Sequence, residues 1–141
     1  MSTKRIRKFK AERAALNATL LKYAPRSLKR FFSVDAEAFQ PGALPGPTKE
    51  LLGLVASLVL RCDDCILFHL NNCFQARVSD AEFAEAAAIA AVIGGTITIP
   101  HLRRAFQAWD ELRRTRARRR VIKHKGHKAH EESVQSAKSA D

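Results

Sequence analysis

Long apolar runs are missing from this chain. The longest, residues 51–60, spans ten positions and already includes Gly53 and Ser57, against the roughly 20 apolar residues that cross a bilayer as a helix. No hydrophobic leader precedes a small-residue cleavage site. A soluble protein that neither spans a membrane nor is secreted is therefore expected. Aromatic residues are few, 7% of the sequence with one Trp and one Tyr, and no stretch alternates apolar and polar positions as a half-buried strand would. Cysteines number three, too few for the disulfide framework of a small secreted domain, and two of them fall in a C-x-x-C. A reducing or redox-buffered compartment fits better, either the cytoplasm or an organelle matrix such as the mitochondrial one. No internal repeat is present, and 141 residues suffice for one domain with a modest core.

Acidic residues are scarce at the two ends. Residues 1–13 hold six Lys/Arg and one acid, and residues 111–141 hold ten and four, whereas residues 14–110 balance nine against nine. The formal charge of +11 thus resides outside the central segment.

What is present is helical periodicity. Leu16, Leu20 and Leu21 recur at helical spacing before Pro25 interrupts, and residues 26–32 and 34–39 read as two short helices around a Ser33 cap. Residues 40–47, rich in Pro and Gly, form a linker. Two helices follow, at 47–61 and 62–76. Ser79 and Glu82 make a capping box for a helix that runs to a Gly94-Gly95 stop. A last helix from about Pro100 places Leu102, Ala105, Phe106, Trp109 and Leu112 inward, with Arg103, Arg104, Gln107 and Asp110 outward. The pattern predicts an all-α, compact helical bundle over residues 14–112. A basic extension precedes it at 1–13, and a basic helix extension follows at 113–141, disordered after about His130.

The chemistry-bearing residues are Cys62, Cys65 and His69, spaced C-x-x-C-x-x-x-H, with Glu50 twelve residues before the first thiol. On a helix that starts near Cys62, Cys65 and His69 share a face, so an imidazole is within reach of a thiol proton. Two cysteines at a helix start can close a reversible disulfide, and the helix N-terminus favours the thiolate. Each residue taken alone has a structural explanation. Glu50 suits the first turn of a helix opened by Gly46-Pro47, His69 could be a satisfied core residue, and a cysteine is often a small hydrophobe. Their joint spacing favours chemistry. Cys73 reads as core packing. Structural zinc sites draw their ligands from two elements, whereas Cys65 and Cys73 would stand two turns, about 11 Å, apart on one helix. No metal is expected.

The stretch from Leu44-Pro45 through Lys49-Glu50-Leu51-Leu52 to Cys62, Cys65 and His69, continuing in Val78-Ser79-Asp80-Ala81-Glu82-Phe83 and Gly94-Gly95, resembles the carboxymuconolactone decarboxylase and alkylhydroperoxidase D-like family. The likeness covers roughly residues 40–112. Redox-active members carry E-x(11)-C-x-x-C-x-x-x-H, which Glu50, Cys62, Cys65 and His69 match. The resemblance implies a bundle of the alkylhydroperoxidase D-like type, assembled as a homotrimer or homohexamer. It also implies a thiol–disulfide oxidoreductase that reduces hydrogen peroxide or organic hydroperoxides and is recharged by a thioredoxin-like or lipoylated dithiol donor. In that scheme Cys65 attacks the oxidant, Cys62 closes the disulfide, and His69 with Glu50 relays the proton through a water. No cofactor is needed, because the dithiol supplies both electrons. The chain departs from the family at Asp64, which stands where alkylhydroperoxidase D members often have a histidine. With Asp63 it opposes the thiolate and leaves the sign of the thiol pKa shift open. A lactone decarboxylase of the same family is the second reading, and a non-enzymatic basic adaptor for nucleic acid or a ribonucleoprotein is the third.

Arg113, Arg114, Arg116, Arg118, Arg119 and Arg120, with Lys123 and Lys125, are candidates for binding a polyanion, whether RNA, DNA or an anionic membrane surface, through counterion release. The absence of interleaved aromatics argues against base stacking, and a solvated helix extension is the alternative. The N-terminus, with Ile6 and Phe9 among Lys and Arg, partly resembles an organelle transit peptide, against which Glu12 and the few hydroxyls count. His124, His127 and His130 lie among lysines, where no metal site is expected.

Overall fold

Six α-helices and one 3₁₀ turn make up the computed structural model, which describes residues 4–138, with side chains from 5 to 122. In chain order the helices are α1 (Lys4–Tyr23), α2 (Arg26–Ala38), α3 (Gly46–Val59), α4 (Asp63–Gln75), α5 (Asp80–Gly94) and α6 (Ile99–Lys138), with the 3₁₀ turn at Thr96–Thr98. No strand occurs among the described residues, and the all-α expectation holds. Helix punctuation follows local chemistry. Pro25 is the extended N-cap of α2, and Pro47 sits in the first turn of α3, where a missing N–H costs nothing. The expected capping box opens α5: Glu82 N–H donates to Ser79 Oγ at 3.2 Å and Ser79 N–H to Glu82 Oε2 at 2.7 Å. Donation from Ser79 N–H, and from its hydroxyl, to Glu82 Oε2 holds that carboxyl below the usual carboxylate range.

Helices α3 and α4 end in the same way. After α3, Arg61 takes a left-handed conformation (φ 58°), its N–H donates to Leu58 O at 3.2 Å, and Cys62 N–H donates to Ser57 O at 3.1 Å. After α4, Arg77 is left-handed (φ 66°), Arg77 N–H reaches Phe74 O at 3.4 Å, and Val78 N–H reaches Cys73 O at 3.1 Å. Both are Schellman motifs, which satisfy the orphan carbonyls of a helix end and usually place glycine where arginine stands here.

The core lies among α3, α4, α5 and α6. Leu54 and Leu58 of α3, Leu70 and Cys73 of α4, Phe83 and Ala90 of α5, and Ala105 and Ala108 of α6 are almost wholly excluded from solvent. Ala86, Ala87 and Ala90 let α5 approach its neighbours closely. Trp109 stacks on Phe83 (centroids 4.5 Å apart, planes at 16°) and meets Phe74 edge-on, and its Nε1 donates to Asp80 at 2.8 Å. An indole buried in this way keeps its N–H satisfied.

The structure departs from the sequence reading in several places. The boundary expected at residue 13 falls inside α1, and Ile6 and Phe9, three residues apart on one helical face, are buried in the core cluster. The surrounding cations had masked those two anchors. Residues 26–38 form one helix, with Ser33 inside it donating to Lys29 O rather than capping a break. Phe106, expected inward, is about half exposed while Ala108 takes the interior position. Helix α6 runs through 112 into the helix extension expected there, but it continues to Lys138, past the point where disorder was expected.

Candidate active site

The turn that ends α3 also starts α4. Cys62, held by its bond to Ser57 O, is the N-cap of α4, and its Sγ accepts from Cys65 N–H at 3.3 Å. A residue three positions into a helix lies beside its N-cap, and Cys62 and Cys65 are joined in a disulfide with Cα atoms 5.3 Å apart. Cys73 is the free cysteine. Burial, helped by the charge of Glu50, pushes its thiol up to about 12, so it stays an inert core residue.

One turn beyond Cys65, His69 Nδ1 donates to Glu50 Oε2 at 2.8 Å. That bond fixes the tautomer and leaves Nε2 with the lone pair of a base. The other Glu50 oxygen accepts from Asn72 Nδ2 at 3.2 Å. Glu50 lies in the second turn of α3, not the first as expected, so it is held by these partners and not by the helix terminus. Both side chains are largely buried, which strengthens the bond between them. Room for the imidazole comes from Gly53, where a Cβ would stand 2.6 Å from His69 Cε1. Phe39 tilts against the ring and Phe68 meets it edge-on, with centroids 4.9 and 5.1 Å away. Lys49 fixes Phe39's surroundings by donating to Ala38 O and Gln40 O at 2.8 and 2.6 Å.

Cys65 and His69 open into a common cavity of about 330 Å³. Its far wall is α1, through Phe9, Glu12, Arg13, Leu16 and Asn17, with Asp35 of α2 and with Asp64 and Phe68 of α4 completing it. Arg13 lies 4.1 Å above the Phe68 ring. Cys62 does not line this space. The N-terminal residues set apart in the sequence as a basic extension therefore roof Cys65 and His69, seated by Ile6 and Phe9.

The two carboxylates between the cysteines separate in the structure. Asp64 faces the cavity. Asp63 turns to α6, where its Oδ1 accepts from His101 Nδ1 at 2.8 Å and from Arg104 Nη2 at 3.1 Å. Desolvation pushes the Asp63 carboxyl up, but the hydrogen bonds from His101 and Arg104 and the Arg104 charge outweigh it and leave the group below its ordinary value. Arg104, expected to face outward, thus supplies a counter-charge next to Cys62. Sequence reasoning missed Gly53, Asn72, His101, Arg104 and Arg13. Asn72, three residues after His69, shared its helical face and was open to discovery, whereas His101 and Arg104 arrive from a distant helix with no local signal.

The basic segment of α6 divides too. Arg113 pairs with Asp80 at 2.6 Å and Arg114 with Asp110 at 2.8 Å. Arg116 lies 3.7 Å over the Phe74 ring and donates to Phe74 O at 2.7 Å. Desolvation, with the neighbouring Arg77 and Arg120, holds Arg116 below the usual guanidinium range. Arg118, Arg119 and Arg120 are exposed. The side chains of Lys123, Lys125, His124, His127 and His130 lie outside the described residues.

The sequence profile of the carboxymuconolactone decarboxylase family matches residues 25–108. The chain belongs to that family. Among proteins similar to this family member, an uncharacterized protein of Cupriavidus necator is 32% identical over 88 residues, 62% of this chain and 78% of the relative. Two crystal structures of a Thermotoga maritima protein, 50% identical, superpose with TM-scores of 0.77 and 0.76, covering 79% of this chain and 97% and 94% of theirs. That protein is described as a carboxymuconolactone decarboxylase family protein "possibly involved in antioxidative response". A family protein of Legionella pneumophila, 24% identical, shares the fold at a TM-score of 0.71 over 77% of this chain and 97% of its own.

Proposed function

We propose that this family member is a thiol–disulfide oxidoreductase that reduces hydrogen peroxide or organic hydroperoxides. The observation that carries the reading is the Cys62–Cys65 disulfide, whose Cys65 shares a cavity with a histidine already held as a base by Glu50. In the reduced protein His69 Nε2, through a water, takes the proton of Cys65. The thiolate attacks one peroxide oxygen, the O–O bond breaks, and water or an alcohol leaves with the returned proton, giving Cys65 sulfenic acid. Cys62 then attacks the Cys65 sulfur, expels water and closes the disulfide. Two thiols are oxidised and one peroxide is reduced, without a cofactor. A thioredoxin-like or lipoylated dithiol restores the pair. A dithiol that cycles in this way favours redox chemistry over lactone decarboxylation. The antioxidative description of the Thermotoga maritima relative points the same way.

The working unit is a homotrimer or homohexamer. Helix α2 supports this assembly: none of its residues is buried, and Phe31 and Val34 are well exposed.

Free thiols counted before and after one equivalent of peroxide test the reading. The wild type should lose two thiols, Cys62→Ser should stall at a sulfenic acid, and Cys65→Ser should not react. His69→Ala and Glu50→Ala should each slow the reaction by about 10²- to 10⁴-fold, the usual worth of general-base assistance. Full rates in both variants would remove the relay. A thiol count unchanged by peroxide would remove the activity.

A further inference from the structure

Helix α6 leaves the body of the protein. Up to Arg116 it is tied down by Trp109, by the Arg113–Asp80 pair and by Arg116 on Phe74, whereas residues 117–122 are all exposed. The helix nevertheless runs on to Lys138. Residues 117–130 contain Arg118, Arg119, Arg120, Lys123, Lys125 and Lys128 and no acid. At 1.5 Å per residue this is about 21 Å of helix, or one cation per about 3.5 Å. Projected on the axis of duplex DNA, the phosphates of each strand recur about every 3.4 Å, so both polymers are densely and oppositely charged along their length.

We propose that the overhanging part of α6 binds the phosphate backbone of duplex DNA, lying in the major groove without reading sequence. The width agrees: a helix with its side chains is about 10–12 Å across, and the B-form major groove is about 12 Å wide. Three other polyanions fit less well. An anionic membrane asks for an apolar stripe opposite the charged face. Here Arg118, Arg119 and Arg120 point in three directions at successive helical steps, and the exposed Val121 and Ile122, which with Ala117 line one shallow surface pocket, are too few to form a stripe along the helix. A groove presents phosphates on both walls and suits that radial spread. Single strands are held by aromatic platforms, and no Phe, Tyr or Trp follows Trp109. Duplex RNA closes its major groove to a helix. Exposed Arg77, which shares Phe74 O with Arg116, extends the cationic surface back onto the body. The site is independent of the thiol chemistry.

Fluorescence anisotropy on the full chain tests it, with labelled duplex DNA of mixed sequence and, in parallel, duplex RNA, single-stranded DNA and phosphatidylserine-containing vesicles, from about 50 to 200 mM salt. Duplex DNA should bind tightest and without sequence preference, with log affinity falling linearly in log salt. Arg118→Gln/Arg119→Gln/Arg120→Gln should weaken binding and make that slope less negative by about 2.7, at about 0.9 per lost phosphate contact. Arg113→Gln/Arg114→Gln, whose guanidiniums are already paired, should change it by less than half as much. Unchanged helical circular dichroism in both variants excludes unfolding as the cause. Tighter binding to RNA, single strands or vesicles, an unaltered slope in the triple variant, or no binding at the lowest salt would each overturn the proposal.

Discussion

Gly53→Ala isolates the packing of the imidazole. A Cβ there would stand 2.6, 2.7 and 2.9 Å from His69 Cε1, Nδ1 and Nε2, whereas carbon atoms rest about 3.5–4.0 Å apart. The ring must therefore move by about 1 Å or the two helices must separate. Overpacking of this kind costs about 1–3 kcal/mol, and exchanging glycine for alanine inside a helix returns about 1 kcal/mol. The net loss of stability should be about 0–2 kcal/mol, small enough for the protein to fold. The rate should suffer far more, because a displaced ring gives up the 2.8 Å bond to Glu50 and with it the fixed tautomer, and loss of a positioned base slows proton transfer by about 10²- to 10⁴-fold. Urea unfolding and single-turnover peroxide oxidation measure the two quantities. Gly46→Ala, where the nearest atom to a new Cβ is Pro41 Cγ at 3.8 Å, is the control and should leave the rate alone. A Gly53→Ala protein that is more stable than wild type and reacts at full speed would refute the reasoning.

Arg104→Gln should raise the pKa of the Cys62 thiol, because Asp63 then carries its charge next to it without a guanidinium partner; thiolate ultraviolet absorbance against pH in the Cys65→Ser background reads this, and an unchanged curve would show that Asp63 does not influence Cys62. Cys73 should resist alkylation in the native reduced protein while Cys62 and Cys65 react, and mass mapping would expose any Cys73 label. Its thiol keeps the proton up to about 12 in the folded chain against an ordinary value of 9.0. The unfolded chain therefore binds fewer protons in that window, and stability should fall as pH rises from 9 toward 12, by up to about 1.4 kcal/mol per unit, relative to Cys73→Ala. Phe31→Asp/Val34→Asp on the exposed face of α2 should lower the assembled mass in light scattering, and an unchanged mass would place the contact elsewhere.

Most of the fold was legible in the sequence because its signals are local. The capping box at Ser79 and Glu82, Pro47 at the start of α3 and the Gly94-Gly95 stop all act within a few residues, and each stands where it was expected. The spacing of Glu50, Cys62, Cys65 and His69 was readable for the same reason, since two adjacent helices and one turn bring the four together. What stayed hidden depends on tertiary approach. Ile6 and Phe9 are two apolar residues in a run of cations, and only their docking against the core turns a basic segment into the roof of the cavity. Asp63 was visible as a charge beside the thiols, but its neutralisation by His101 and Arg104 depends on where α6 crosses α4. Gly53 looked like a flaw in an apolar run until the imidazole was seen lying on it.

Arg61 and Arg77 hold the same left-handed conformation at the ends of consecutive helices, yet they are not equally free to change. Glycine at either position would relieve about 1–2 kcal/mol of local conformational energy, offset by about 0.5–1 kcal/mol of added chain entropy. At Arg77, remote from the Cys62–Cys65 pair, the outcome is a slightly more robust protein. At Arg61 the neighbouring residue is Cys62, held in place by its bond to Ser57 O. A looser joint there lowers the effective concentration of one sulfur at the other, and the oxidised pair becomes easier to reduce. In the proposed redox cycle, the stiffness of this backbone hinge would then bear on how readily the disulfide is recharged, and Arg61→Gly should show as a shift in midpoint potential.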